Sequence, residues 1–493
     1  MPSPNGFSIN AAPSDACEDG ERLIESREVP PRCCSARLNL AVLMFLGFSV
    51  VYGLRVNLSV AMVAMVNATD PKADQNSSLV HACPLPSGTG NSSGTFQQPE
   101  GIPQFNWDSE IQGWLLGAFF FGYLCTQIPG GYLAGHYGGK NFLGLGGVTF
   151  PAMMAMWARW APQMERSSLI TLSGSGASFG AFLALPLTSF LCEWLGWPAV
   201  FYLCASLPAG GAGCLWAVFW FAFVSDDPRT HRRISNEERD YIINSIGAQG
   251  TGHGWSLPLL SMLFSVPLWA IIITQMCSNW AFYCLLTSLP TYMNDILHFD
   301  LQSNGFLSAL PYLGSSLVSV LSGLFADFII ERKVFSITVV RKLFTFTGLL
   351  LPAVFLTAVG YAGCDHLLTV TFLTLSSTLG ATSSPGVFIN QMDIAPRYAG
   401  FLLGVTNTFA TIPGVVAPIV TGYFTEDRTL SGWRKVFWVA AAINLGGAVF
   451  YTIFGSGEIQ AWAVSEEDGA PPEKQGGGSR RSAEDATATD SLR

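Results

Sequence analysis

Charge is scarce in this sequence. Its 493 residues hold 25 Lys and Arg and 34 Asp and Glu, 12% of the chain, where soluble proteins carry roughly 25%. That shortage excludes an ordinary soluble enzyme. The charges are also segregated: residues 15–37, 226–240 and 465–493 hold 10, 9 and 11 of them, which leaves 29 for the other 426 positions. Histidine is scarce too. His81, His136, His231, His253, His298 and His366 all fall in predicted loops or at helix ends, and no Cys/His spacing suggests a metal site. No enzyme and no metal centre are therefore expected. The formal net charge of −9 lies largely in the tails and loops, which argues against nucleic acid as a partner. Residues 1–37 lack a short basic run followed by a brief apolar core, so no cleavable signal peptide is expected.

Long apolar runs fill the rest. About 20 apolar residues cross roughly 30 Å of hydrocarbon as a helix, and ten stretches qualify: 38–66, 111–134, 168–191, 199–224, 266–290, 303–326, 343–363, 367–392, 398–423 and 436–455. An eleventh, 141–158, is short, rich in Gly and interrupted by Pro151. The expected fold is all-α and polytopic, with lipid as its surroundings. Its regions are a cytosolic tail (1–37), a first helical bundle (38–224), a cytoplasmic central loop (225–265), a second bundle (266–456) and a disordered cytosolic tail (457–493).

Lys and Arg set the orientation. Residues 67–110 contain only Lys72, whereas 225–262 carry Arg229, Arg232, Arg233 and Arg239, and 331–342 carry Arg332, Lys333, Arg341 and Lys342. The first loop is therefore predicted to be luminal and the other two cytoplasmic. Three glycosylation sequons, at Asn67, Asn76 and Asn91, lie in that first loop. Cys83 and Cys364, the two cysteines in predicted luminal loops, are placed either to pair in an oxidising lumen or to remain free thiols.

The halves repeat one another. Residues 107–135 align without a gap on 299–327, pairing Asp108 with Asp300, Gly113 with Gly305, Gly122 with Gly314, Gly131 with Gly323 and Ala134 with Ala326. Further on, Pro151 pairs with Pro385 and Ala161-Pro162 with Ala395-Pro396, at an offset 42 residues larger. The first half is shorter by that amount, between Gly135 and Pro151. Two parallel halves joined by a charged loop point to a secondary transporter with its site between them. Because three spans already carry the chain from a luminal first loop to a cytoplasmic central loop, 141–158 is expected to be re-entrant or badly packed.

Arg55 leads the candidate residues. It lies deep in the first span with Tyr52 at i−3 and Ser59 at i+4 on one face, where a cation costs about 2.5–3.5 kcal/mol unless it meets a polar cavity. A guanidinium can hold a carboxylate bidentately. The competing account is a long helix from which Arg55 reaches an interface. Tyr123 is a weaker candidate that could equally be core. Thr382-Ser383-Ser384-Pro385 interrupts a later span; Ser383 and Ser384 could touch substrate or only repair the kink.

The segments CCSARLNLAVLMFLGFSVVYGLRVNLSVAMVAMV (33–66), GYLCTQIPGGYLAG (122–135), GVTFPAMMAMW (147–157), LTSLPTYM (286–293), NGFLSALPYLGS (304–315) and DIAPRYAGFLLGVTNTFATIPG (393–414) closely resemble the anion symporter family of the major facilitator superfamily, over about residues 33–463. That family includes lysosomal exporters of sialic acid and vesicular glutamate transporters. The resemblance implies twelve helices in two pseudo-symmetric bundles and a substrate arginine at Arg55. It implies sialic acid, glucuronate, aspartate and glutamate as substrates, and protons, rather than any cofactor, as the coupling agent. It further implies a lysosomal, vesicular or plasma-membrane location, with Asp19, Leu23 and Ile24 as an acidic dileucine signal read by sorting adaptors. This chain departs from the family between Gly146 and Gly147, where the rest of the third helix and the start of the fourth, with an Arg-x-x-Glu motif and a further Glu, are missing. Met154 stands where the family has a histidine. A shortened chain that does not transport is therefore the rival expectation.

Overall fold

The computed structural model describes residues 35–66, 104–145, 149–205, 207–246, 257–299, 301–427 and 429–464. Ser35 starts the first span by accepting a hydrogen bond from the Leu38 amide, and the span runs as α1 (Ala36–Arg55) and α2 (Asn57–Met65), broken at Val56. Asp108 likewise caps α3 (Ser109–Tyr137), its carboxylate accepting from the Ile111 amide at 2.8 Å. Gly138 ends α3 at φ 97°, where a Cβ would strike the Asp226 carboxyl. The first half continues through α4 (Gly139–Gly144), α5 (Thr149–Trp160), α6 (Arg166–Leu195), α7 (Trp197–Ala205) and α8 (Leu207–Phe223). The central segment carries α9 (Asn236–Ile246) and α10 (Leu259–Leu263). The second half holds α11 (Val266–Asp295), α12 (Leu301–Glu331), α13 (Ile337–Ala362), α14 (His366–Gly380), α15 (Asn390–Ile394), α16 (Ala399–Phe424) and α17 (Leu430–Phe454). Eight helical stretches among the described residues are long and apolar enough to span a membrane.

Two seams join the halves, and the repeated glycines lie on both. In α3, Gly113 approaches the Pro418 carbonyl and Gly131 the Gly400 carbonyl, so α3 runs against α16 along its length. In α12, Gly305 meets Ser189 and Gly323 meets Thr171, so α12 runs against α6 in the same way. A side chain at these positions would push the helices apart, and close backbone approach is how helices associate where lipid removes the hydrophobic driving force. Equivalent helices of the repeat thus build equivalent seams.

Within the segment 141–158, expected to be re-entrant or badly packed, the helical part from Thr149 onward is well packed, whereas Leu145 is 80% exposed. Met153, Met154 and Trp157 of α5 are fully buried. At 12 residues, α5 is roughly 18 Å long, too short to span. Both ends of the segment lie at one end of the bundle: the Lys140 amide donates to Asp226 at 2.7 Å, and the Trp160 indole donates to the Ser225 carbonyl at 3.1 Å. That placement agrees with the re-entrant alternative.

Three boundaries need correction. The expected cytosolic tail reaches into α1, where Arg37 is 1% exposed and paired with Glu165 at 2.8 Å, while Glu238 of α9 accepts from the Ala36 and Arg37 amides. The central loop therefore contributes a docked helix. Arg341, read as a loop cation, lies buried in α13. The final tail is ordered through Val464: the Gly457 amide donates to Thr338 and the Gln460 amide to the Ile394 carbonyl.

Candidate substrate-binding site

Between the halves lies a cavity of about 250 Å³. Tyr52 and Phe150 face it from the first half, Asn279, Tyr283, Ser383 and Asn407 from the second. Hydroxyls and amides dominate its polar lining, and among the described residues no charged side chain lines it. Such a wall can exchange hydrogen bonds with a polyhydroxylated ligand.

Ser383 and Ser384 reach the cavity because α14 fails at Gly380. A 3₁₀ turn (Ala381–Ser383) and a π turn (Ser384–Phe388) replace it, with Gly386 at φ −91° and ψ −106°. The Thr382 and Ser383 hydroxyls donate to the Leu379 and Gly380 carbonyls at 2.7 and 2.8 Å, and Arg341 donates to the Pro385 carbonyl at 2.6 Å. Kink repair and cavity lining coexist here, which the sequence had posed as alternatives.

Arg55 stands at the edge of this cavity rather than inside it. Its guanidinium carbon lies 4.4 Å from the Phe119 ring centre, 4.7 Å from Phe120, 5.2 Å from Tyr52, 5.6 Å from Tyr123 and 5.7 Å from Tyr283. Each such cation–π contact contributes roughly 0.5–2 kcal/mol, more as water is removed. Nη2 is buried with no hydrogen-bond partner. Ring faces stabilise the charge but leave Nη2 unused, and an unused buried donor costs about 1–3 kcal/mol. An arriving carboxylate would satisfy it.

Of the expected site residues, Tyr52, Ser383 and Ser384 meet in the central cavity, and Tyr52, Arg55 and Tyr123 meet around the guanidinium. The two groups share Tyr52. Tyr123 also joins the halves: its hydroxyl accepts from Asn407 at 3.2 Å, and Asn407 donates to Gln127 at 2.8 Å. Asn407, Tyr283 and the two phenylalanines escaped the sequence reading, although Phe119 and Phe120 adjoin Tyr123 in the repeat segment. Cys364 is disulfide-bonded, and its proposed partner Cys83 lies outside the described residues, as do Asp19, Leu23, Ile24, Asn67, Asn76 and Asn91.

The end of the seams distal to α2 carries an ion cluster that was also missed. Asp393 binds Arg341 at 2.6 Å and Arg166 at 3.2 Å, and all three are buried. Asp327 of α12 accepts from the Ser167 and Ser168 amides at 3.0 and 2.6 Å, capping α6 across the seam. Arg166 and Ser167 belong to the first half and Asp327, Arg341 and Asp393 to the second, so this cluster fastens the halves together. Its members sit at helix ends, where a charge is ordinarily read as solvated.

Residues 142–418 match the profile of the Major Facilitator Superfamily. The chain belongs to that superfamily. Sialin of Homo sapiens is 46% identical over 478 residues, covering 90% of this chain and 94% of its own. Vesicular glutamate transporter 2 of Homo sapiens is 34% identical over 493 residues, covering 91% and 80%. Among solved structures, a D-xylose-proton symporter aligns with a TM-score of 0.53 at 15% identity, over 86% of this chain and 99% of that one; this likeness concerns the fold alone. Within the superfamily the chain is thus a multi-pass transporter, and the likeness to sialin fits a cavity that offers hydroxyls, amides and one adjacent cation.

Proposed function

We propose that this chain is a proton-coupled carrier of sialic acid and related acidic sugars such as glucuronate, exporting them from lysosomes, with vesicular uptake of aspartate or glutamate as a further activity. Arg55 carries the reading: its buried Nη2 has no partner, and it stands at the rim of a hydroxyl-rich cavity between the halves. In this scheme the carboxylate takes Arg55 while the sugar hydroxyls take the cavity wall, and seam opening at either end exposes the site alternately. The location rests on the likeness to sialin and on the acidic dileucine pattern at Asp19, Leu23 and Ile24. Binding of radiolabelled sialic acid to the purified protein tests the anchor. Arg55→Ala should abolish it, and Arg55→Lys should weaken it because an ammonium cannot form the bidentate fork. Unchanged affinity in both would remove Arg55 from the site.

A second reading is favoured by one observation: among the described residues no Asp or Glu lines the central cavity. A coupled carrier needs a proton site linked to its substrate site. In this reading the shortened chain folds but does not couple. Uphill sialic acid accumulation under a lysosome-like pH difference separates the two, being present for a coupled carrier and absent for an uncoupled or inactive one.

A further inference from the structure

Beside the central cavity lies a second pocket of about 630 Å³, walled mainly by α1, α2 and α3 and closed by Thr149 of α5 and by Leu286 and Thr287 of α11. This is within the roughly 300–1,000 Å³ usual for small-ligand sites. Leu54, Leu58, Leu116 and Phe119 give it apolar walls, Ser59 and Thr126 add hydroxyls, and Arg55 is the one charged group that lines it among the described residues. Leu54 and Phe119, 41% and 49% exposed, form its outer rim. Gly122 lies on its wall with nothing within 4 Å of where a Cβ would be.

We infer that this lateral pocket binds a single-chain amphiphilic carboxylate, a fatty acid, with the carboxylate on Arg55 and the acyl chain along the Leu54, Leu58 and Leu116 walls. Charge selects the head group: among the described residues no carboxylate pairs with Arg55, and its Nη2 is buried without a partner. A buried cation calls for a counter-charge or polar partners, and the aromatic rings around Arg55 leave Nη2 without either. The walls select the tail, because acyl burial contributes about 0.8 kcal/mol per methylene. The pocket shares Arg55 and Tyr52 with the proposed transport site, so the two ligands should exclude one another.

The test is binding of tritiated decanoate to the full-length protein in lipid nanodiscs. Saturable binding is expected, displaced by sialic acid and by unlabelled decanoate but not by methyl decanoate, which has no charge. Arg55→Gln should weaken it about tenfold or more, the factor that loss of about 1.4 kcal/mol gives. Gly122→Leu, which fills the pocket, and Thr126→Phe, which narrows it from another position, should do the same. Both should leave sialic acid binding intact, which also shows that they fold. Decanoate affinity unchanged in both filling variants, or equal displacement by methyl decanoate, would overturn the proposal. Sialic acid binding that fails while decanoate binding holds removes the transport reading alone; the reverse removes this one alone.

Discussion

The two halves treat one repeated position in opposite ways. In the second half, Gly314 of α12 packs against Thr378 of α14, with no room for a side chain. At the matching position in the first half, Gly122 of α3 meets open space. The repeat holds where the halves touch each other, through Gly113, Gly131, Gly305 and Gly323, and fails where each half must pack upon itself. The first-half counterpart of α14 falls in the segment where the chain is 42 residues short, and only α4 and α5 remain there. Seam packing is therefore separable from bundle completeness: two full-length seams form although one bundle is incomplete. The incomplete wall leaves Arg55 open to the side as well as to the centre.

That contrast can be broken at graded positions. Asp393→Asn should have the largest effect, because it leaves Arg166 and Arg341 buried without their shared carboxylate; loss of about 3–5 kcal/mol is expected. Thermal unfolding of the purified protein should fall accordingly, and a shift no larger than that of a surface control would show that the cluster does not hold the seam. Next comes Gly314→Leu, which must displace Thr378 and should cost about 1–3 kcal/mol by overpacking. Asn407→Ala, which removes the link to Tyr123 and Gln127, should cost about 1 kcal/mol. The smallest effect belongs to Gly122→Leu, within about 0.5 kcal/mol of wild type. The pair Gly314→Leu and Gly122→Leu sharpens the comparison most, since equal destabilisation would mean that the first-half wall is complete after all.

Much of this fold was legible in the sequence. Helical spans follow from hydropathy because lipid forces backbone hydrogen bonds inward, and the seams were implicit in the glycines that recur at a fixed offset. Arg55 and Tyr52 were legible because a cation deep in an apolar helix has few explanations. The rest depended on tertiary neighbours that spacing does not report. Arg341 read as a loop charge because it flanks an apolar run, yet Asp393, distant in sequence, draws it and Arg166 into a buried cluster. Phe119 and Phe120 gain a role only when the fold brings them, with Tyr283, against the Arg55 guanidinium. The lateral pocket could not be read at all, since a missing neighbour leaves no residue to find.

Sialic acid counterflow in proteoliposomes measures the central claim most directly, because exchange of labelled for unlabelled substrate needs an alternating anion site but no proton gradient. The account predicts counterflow by the 493-residue chain that disappears with Arg55→Ala and survives Gly122→Leu. Absence of counterflow in the wild-type chain, or its persistence at full rate without Arg55, would contradict it.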